Sequence, residues 1–315
     1  MSKSIAALLL GCWAASHEAS AQEAATPAGD AACAKCAECA AGPESPISGA
    51  LSMTATTHYF FRGLIQEDQG LIFQPAVTLS TPLWTGEGGL KSLDFSVCSW
   101  NSLHSGPTGT GGHGNNSPSA WYESDLLACL TFNFACGTTL DASWVEYTSP
   151  NSLFKTTSEI DFVLGFDDSE WCARTMGLSG GFGPTVTLGI EVDGQSDQNT
   201  APAGTDEGTF LGFGIAPNIE CCTLGSGECE TPCTLSFPLN AGFSLGDYYE
   251  DGTGDDDRFG YWEVGAVVSF PIASRFGEWQ MSLGTQAVML NGNQEDLNHG
   301  ESFEWTGTMA LSIGF

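Results

Sequence analysis

The chain has 315 residues, with 38 Asp and Glu against 8 Lys and Arg, a formal net charge of −30. So acidic a protein is excluded as a nucleic-acid binder, because phosphate recognition needs clustered basic residues. A hydrophobic content of 42% excludes a wholly disordered chain. The longest apolar run, Ile5–Ala15, is shorter than the roughly 20 residues of a membrane-spanning helix.

The first 21 residues have the pattern of a secretion signal. Lys3 gives a short positive region, Ile5–Ala15 an apolar one, and Ala19-Ser20-Ala21 a small-residue cleavage site. An alternative is lipidation at Cys12, which follows Leu9-Leu10-Gly11. Either interpretation predicts export from the cytoplasm.

Residues 22–48 predict a flexible, Ala- and Cys-rich periplasmic leader, because their composition cannot bury a core. Cys33, Cys36 and Cys39 are spaced like a metal or redox clip. A structural zinc site needs a fourth ligand, and none follows nearby. A tether with one oxidised cysteine pair is the favoured interpretation.

From residue 49 onward apolar and polar residues alternate with a period of two, which predicts β-strands. Strands are expected near 50–61, 70–80, 92–101, 122–133, 138–147, 158–166, 184–193, 209–216, 234–246, 259–270, 279–290 and 302–315. About twelve such strands predict an all-β fold, a single antiparallel, up-and-down, transmembrane β-barrel over residues 49–315, with 10–14 strands possible. A secreted soluble β-sandwich is the alternative fold.

The connections are assigned on the premise that the N-terminus is periplasmic. External loops are then expected near 62–69, 101–121, 148–157, 194–208, 247–258 and 291–301. Periplasmic turns are expected near 81–91, 134–137, 167–183, 217–233 and 271–278. Longer external loops fit an outer-membrane barrel, although 167–183 and 217–233 are long for periplasmic turns.

The last strand ends on an aromatic residue. Leu311, Ile313 and Phe315 alternate on one face, which is typical of the C-terminal signal that the barrel-assembly machinery recognises. The expected location is the cell outer membrane, with lipid and lipopolysaccharide as the surrounding partners.

Two short segments resemble a known family. Tyr59-Phe60-Phe61-Arg62-Gly63, followed by Gln66 and Gln74-Pro75, ends the first predicted strand, and Trp100-Asn101-Ser102 ends the third. Together they resemble the TorF-type porin family over residues 49–315. The resemblance implies an outer-membrane barrel with a pore and implies no particular substrate.

The polar faces of the predicted strands carry many acids and one base. The inward, pore-lining candidates are Arg62, Asp94, Glu123, Asp125, Asp141, Glu159, Asp161, Glu191, Glu263 and Glu304. A lumen of one charge sign favours permeants of the opposite sign. We therefore expect a porin-like channel for passive diffusion of small, preferentially cationic or neutral solutes.

A plugged lumen is the alternative, in which these acids bond to Ser, Thr and Tyr. The barrel would then have a structural or adhesive role through its acidic external loops. Arg62 has two open interpretations, as part of a constriction or as a pin for the first loop.

The loop at 247–258 is densely acidic. Asp251, Asp255 and Asp257 make a weak calcium site candidate, because their spacing does not match an EF-hand. A solvated acidic loop is favoured, and no cofactor or other metal is expected.

Cysteines of an exported chain can form disulfides. The candidates are Cys221, Cys222, Cys229 and Cys233 as a stapled segment, Cys98 with Cys129 on neighbouring strands, and Cys136 with Cys172 in consecutive turns.

No enzymatic activity is expected. The segment Gly177-Leu178-Ser179-Gly180-Gly181 satisfies G-x-S-x-G, but that motif needs a strand-to-helix elbow that the pattern here does not offer. A lipid-facing Ser–His hydrolase is disfavoured, because His58 is assigned to the inward face.

Overall fold

The computed structural model describes residues 46–106, 120–194, 207–224, 231–251, 254–274 and 276–315. The predicted signal peptide, the leader up to residue 45 and Cys229 lie outside these residues. The predictions made for them therefore stay predictions.

Twelve antiparallel strands form one closed ring. They are β1 (Ser48–Thr56), β4 (Ile72–Thr85), β5 (Leu90–His104), β6 (Trp121–Phe134), β7 (Thr138–Thr148), β8 (Thr157–Phe166), β9 (Thr185–Asp193), β10 (Thr209–Ile215), β13 (Leu239–Gly246), β14 (Phe259–Ile272), β15 (Glu278–Leu290) and β16 (Phe303–Gly314). Each strand pairs with its neighbours in the ring, and β1 pairs with β16 to complete the circle. The predicted antiparallel barrel and its strand count are confirmed.

The ring has two ends that differ in their connections. At the terminal end, the N–H and C=O of Gly49 and Phe315 exchange hydrogen bonds at 2.8 and 2.9 Å. The opposite end, where β1 finishes at Thr56, is named the loop end. The even strand count places the start of β1 and the finish of β16 at the same end, as outer-membrane barrels require.

Alternation along the strands separates two surfaces. Apolar side chains cover the outside, where Leu126 is 62% exposed and Met309 is 53% exposed. Aromatic residues flank this belt, with Trp121 and Trp305 at the loop end and Trp84 at the terminal end. This surface is that of an outer-membrane barrel, which confirms the predicted location.

The segment at 217–233 is not a simple turn, which corrects the sequence prediction. It forms β11 (Asn218–Leu224) and β12 (Thr231–Ser236), which continue β10 and β13 beyond the ring. Pro217 and Pro238 interrupt the two long strands because proline has no N–H for the sheet ladder. The strand β12 remains attached to the wall through β14, with Leu235 opposite Val268.

Two short helices lie in connections between the strands of the barrel. The helix α1 (Ser169–Met176) occupies the turn after β8 and ends at Gly177, which has a left-handed backbone at φ 70°. The helix α2 (Asn293–Leu297) lies between β15 and β16. In the described ranges, no helix has the length and apolar character needed to cross a membrane.

Candidate functional site

The segment between β1 and β4 folds into the lumen. Tyr59–Phe61 forms β2 and Leu64–Glu67 forms β3, and all nine residues from 59 to 67 are buried. The sequence predicts a wall strand through residue 61 and an external loop at 62–69, and both predictions are wrong here. The three consecutive aromatic residues of β2 place apolar side chains on both of its faces, with Tyr59 and Phe61 toward one side of the lumen and Phe60 toward the other. Residues 59–67 are named the inner hairpin.

The tip of the inner hairpin is a two-residue turn. Arg62 has φ 47° and Gly63 has φ 82°, the positive angles that match the twist of a tight hairpin. A Cβ on Gly63 would lie 2.8 Å from the Tyr261 ring, so space as well as backbone angle requires glycine. The left-handed backbone of Arg62 costs about 1–3 kcal/mol and persists only where its contacts offset that cost.

The Arg62 guanidinium makes a bidentate ion pair across the lumen. Its Nη1 and Nη2 donate to the two Glu159 carboxylate oxygens at 2.9 and 2.7 Å, and Nη2 lies 3.3 Å from Asp161 Oδ1. All three side chains are fully buried. Burial opposes the charged form, but the combined attraction of Glu159, Tyr248 and Asp161 outweighs it and holds the pKa of Arg62 above its ordinary value.

This ion pair also relieves a repulsion within the wall. Glu159 on β8 stands directly opposite Glu191 on β9. Like charges in opposed positions destabilise a sheet. The Arg62 guanidinium therefore stabilises the wall as well as the hairpin.

Aromatic side chains fill the space on both sides of the inner hairpin. The Arg62 guanidinium lies 4.3 Å from the centre of the Phe210 ring, a cation–π contact. One cluster contains Tyr59, Phe61, Ile72, Ala76, Cys98, Trp100, Tyr122, Leu127, Val145 and Tyr147. The other contains Phe60, Ile65, Phe210, Tyr248, Tyr249, Tyr261, Val288 and Leu290. The inner hairpin is thus wedged between opposite walls near the loop end.

The loop after β13 contributes two more side chains to this wedge. Tyr248 accepts a hydrogen bond from Arg62 Nη1 at 3.0 Å, and the Tyr249 hydroxyl donates to the Arg62 carbonyl at 3.0 Å. Both tyrosines are at most 1% exposed. Sequence reasoning assigned this loop to the outside and missed them. The available signal was an aromatic pair beside an otherwise acidic segment.

Two inward glycines of the wall leave room for the side chains that pack around the inner hairpin. A Cβ on Gly189 would lie 2.8 Å from Arg62 Nη1, and one on Gly242 would lie 2.2 Å from the Tyr261 ring. The space beside these two glycines is filled by neighbouring side chains. Their function is close packing.

The predicted pore-lining acids point inward, as their strand positions require. Asp94, Glu123, Asp125, Asp141, Glu159, Asp161, Glu191 and Glu263 are all buried, whereas Glu304 is half-buried near the loop end.

Several of these acids accept hydrogen bonds inside the lumen. Tyr59 donates to Glu123 at 2.9 Å, Thr131 donates to Asp141 at 2.5 Å, and Asn240 donates to Glu263 at 2.6 Å. The structure brings Glu159 and Asp161 together with Arg62 and leaves Asp94 and Asp141 nearer the terminal end.

The acidic loop candidates do not meet at one point. Asp251 accepts a hydrogen bond from the Asp255 N–H at 2.9 Å, while Asp257 accepts one from the Asn293 N–H at 2.9 Å. Within the described part of the chain, no group of three or more His, Cys, Asp and Glu side chains is arranged to hold a metal ion. These carboxylates order the loop around backbone donors.

The predicted disulfides between described cysteines, Cys98 with Cys129 and Cys136 with Cys172, are not formed, which corrects that prediction, whereas a pairing of Cys229 stays a prediction. No disulfide bond joins any of the seven described cysteines, which are Cys98, Cys129, Cys136, Cys172, Cys221, Cys222 and Cys233.

The geometry explains two of these cases. On neighbouring strands, Cys129 stands opposite Ser96 and Cys98 opposite Leu127, so the two cysteines are diagonal neighbours, farther apart than a disulfide allows. Cys172 is buried in α1 and donates to Asp168, whereas Cys136 is exposed and donates to Thr138.

The cysteines of β11 and β12 are also not joined by a disulfide bond. Cys222 stands opposite Cys233 in the β11–β12 ladder, beside an irregularity at Cys221. The Cys221 thiol approaches the Cys233 carbonyl at 3.4 Å. The fourth member of the predicted staple, Cys229, lies outside the described residues.

Comparisons with known proteins give similar barrels only. No protein-family model and no curated protein matches the sequence. Among solved structures, an outer-membrane channel from Pseudomonas putida F1 is 12% identical with a TM-score of 0.44, over 87% of this chain and 97% of that one. The translocator domain of the autotransporter NalP from Neisseria meningitidis is 10% identical with a TM-score of 0.43, over 89% and 92%.

An outer membrane phospholipase A from Escherichia coli is 14% identical with a TM-score of 0.40, over 84% of this chain and 89% of that one. A channel, a translocator and an enzyme thus share a barrel at low similarity. These likenesses carry no argument about function, which has to come from the lumen itself.

Proposed function

We propose that the chain forms an outer-membrane channel for passive diffusion of small cationic or neutral solutes, narrowed near its loop end by the inner hairpin. The observation that carries this proposal is the charge of the interior. Eight of the predicted inward carboxylates are at most 5% exposed. Within the described ranges, Arg62 is the only buried Lys or Arg.

Such an imbalance determines what the lumen attracts. Each ion removed from water costs several kcal/mol, so eight buried carboxylates beside one guanidinium favour cations or water among them. A negative, narrow passage between low-dielectric walls concentrates cations and repels anions. The acids therefore act as a selectivity lining.

The inner hairpin sets the size of what passes. It crosses the lumen between two aromatic clusters and is anchored to β8 through Arg62 and Glu159. The two interpretations of Arg62, as part of a constriction and as a pin for the first loop, therefore apply together. The residue pins the hairpin, and the pinned hairpin forms the constriction.

The test is conductance of the purified protein in planar bilayers under a KCl gradient. The reversal potential is expected to show cation preference. Asp141→Asn, inside the barrel, should reduce that preference, whereas Glu170→Gln, whose carboxylate is 91% exposed on α1, should not. Anion preference of the wild-type channel would contradict the proposal.

A closed barrel with a structural or adhesive role is the second candidate. The packing of the inner hairpin favours it, because residues 59–67 are all buried. Absence of conductance in both the wild type and a variant without the Arg62 anchor would select this closed barrel.

A further inference from the structure

Three polar side chains meet near the loop end, where the inner hairpin touches β5. Ser102 Oγ lies 2.7 Å from His104 Nε2, and His104 Nδ1 lies 3.7 Å from Glu67 Oε2. Ser102 and His104 are two residues apart on one strand, so both point inward. Glu67 comes from β3, and all three residues are at most 3% exposed.

We propose that Ser102, His104 and Glu67 form a hydrolytic site for small neutral carboxylic esters. A serine hydroxyl becomes a nucleophile when a neighbouring imidazole can accept its proton and an acidic group orients that imidazole. The hydrogen bond between Ser102 and His104 and the 3.7 Å approach of Glu67 place the groups in that order. Within the described part of the chain, His104 Nδ1 and Glu67 Oε2 are buried atoms without a hydrogen-bond partner, which leaves each available to the other.

The surroundings hold the imidazole in one orientation. The His104 ring stacks on Tyr122 with 4.6 Å between ring centres and 21° between planes. The Tyr122 hydroxyl donates in turn to Gln66 Oε1 at 2.5 Å, next to Glu67 in the inner hairpin. The distance from His104 to Glu67 exceeds a hydrogen bond, and unliganded catalytic sites often tighten only when substrate binds.

A side-chain amide beside the nucleophile could serve the developing oxyanion. Gln74 Nε2 donates to Ser102 Oγ at 3.4 Å from the adjacent strand β4. A side-chain amide at this position is suited to the negative oxygen of a tetrahedral intermediate. The amide therefore completes the set of nucleophile, base, orienting acid and oxyanion donor.

The chemistry of the wall selects the substrate class. Tyr59, Ile72 and Trp100 belong to the cluster next to the site, which suits an apolar acyl group. The surrounding excess of carboxylates disfavours anionic esters. Small neutral esters with a short alkyl or aryl acyl group fit both conditions.

The reaction balances with water as the only co-reactant. Ser102 Oγ attacks the carbonyl carbon while His104 Nε2 takes the hydroxyl proton; the C–O bond then breaks, and His104 returns that proton to the leaving alkoxide. Water attacks the acyl-serine, gives a proton to His104, and the carboxylic acid leaves as Ser102 recovers its proton. Glu67 stabilises the imidazolium in both halves.

The test uses the purified full-length barrel in detergent. An alkyl fluorophosphonate is added, the modified residue is identified by mass spectrometry, and release of p-nitrophenol from p-nitrophenyl butyrate is measured. Ser102 is expected to carry the label. His104→Asn should slow both reactions by about 10²-fold or more, the usual contribution of a general base.

Two variants separate catalysis from structure. Ser102→Ala should abolish labelling and hydrolysis, whereas Ser96→Ala, also inward on β5, should keep both. Glu67 is a positioning residue, so Glu67→Gln should slow labelling at unchanged final stoichiometry and Glu67→Asp should restore part of the rate. All variants are compared at equal heat-modifiable gel mobility.

One result would overturn the site. If the folded wild type reacts at Ser102 no faster than it reacts at Ser96, the three side chains only brace the inner hairpin. The labelling experiment does not depend on conductance, so failure of the channel proposal and failure of the hydrolytic site are distinguishable.

Discussion

The two ends of the lumen are built in different ways. At the loop end, the inner hairpin, Tyr248 and Tyr249 interlock with glycines of the wall, and their polar groups bond to one another. Toward the terminal end the inward residues are mostly small and hydroxylated, including Ser80, Ser96, Thr131, Ser143, Ser269 and Ser282. The Ser80 and Ser143 hydroxyls have no hydrogen-bond partner within the described ranges.

This contrast locates the two properties of the proposed channel. Close packing around a charged anchor restricts passage, so the loop end controls size. A lining of hydroxyls and carboxylates leaves polar groups available to a passing solute, so the terminal end supports conduction. Substitutions at the two ends should therefore have different consequences.

The largest effect is expected for Arg62→Met. It leaves Glu159 and Asp161 buried without their guanidinium, and breaking a buried ion pair in this way costs about 3–5 kcal/mol. The inner hairpin should detach, so that single-channel conductance rises and the temperature midpoint of heat-modifiable gel mobility falls.

The matched control is Arg174→Met on α1. Its ion pair with Glu170 joins side chains that are 74% and 91% exposed, and exposed pairs contribute about 0–1 kcal/mol. Conductance and midpoint should stay unchanged. Equal effects of the two substitutions would mean that the loop end is not locked by Arg62.

A smaller effect is expected for Gly189→Ala. The added Cβ would lie 2.8 Å from Arg62 Nη1 and 2.9 Å from Glu159 Oε1, so the ion pair must shift. Overpacking of this kind costs about 1–3 kcal/mol. The loss of stability is measured as a lower thermal midpoint of the purified barrel.

Gly246→Ala is the control for packing, because a Cβ there meets nothing within 4 Å. It should leave both midpoint and conductance near the wild-type values. A tolerated Gly189→Ala would show that the guanidinium has room to move.

The smallest effect is expected at the terminal end, for Ser282→Ala. Its hydroxyl lies 3.0 Å from the Ser269 hydroxyl, and loss of one such hydrogen bond costs about 1 kcal/mol. Conductance should be preserved. In a double-mutant cycle, Ser269→Ala should add less in the Ser282→Ala background than alone, and full additivity would contradict the shared bond.

The strands of the wall could be predicted from alternation because one face meets lipid and the other the interior. The inner hairpin could not, since the three consecutive aromatic residues Tyr59–Phe61 are predicted as the end of the first wall strand, whereas in the structure they cross the lumen. Arg62-Gly63 did carry a local signal for a tight turn. The missing information was which surface the alternating residues face.

Partners across the lumen were also beyond the sequence. The candidate acids could be placed on the inward face, but the choice of Glu159 for Arg62 depends on strand stagger, which sets each residue's level along the barrel. The same stagger separates Cys98 from Cys129 by two positions. Ser102 and His104 fall within the predicted external loop at 101–121, so their shared face became evident only from the structure, as did the approach of Glu67.

The pairing of β1 with β16 has a consequence for the order of assembly. One edge of β1 stays unpaired until the last strand is made, because residues such as Ala50 pair there with residues such as Gly314. Arg62 likewise bonds to Glu159, which lies 97 positions later in the chain, and to Tyr249, which lies 187 positions later. Such distant contacts form slowly, because long segments must be ordered first. The inner hairpin, although made early, can take its final place only after most of the wall around it exists.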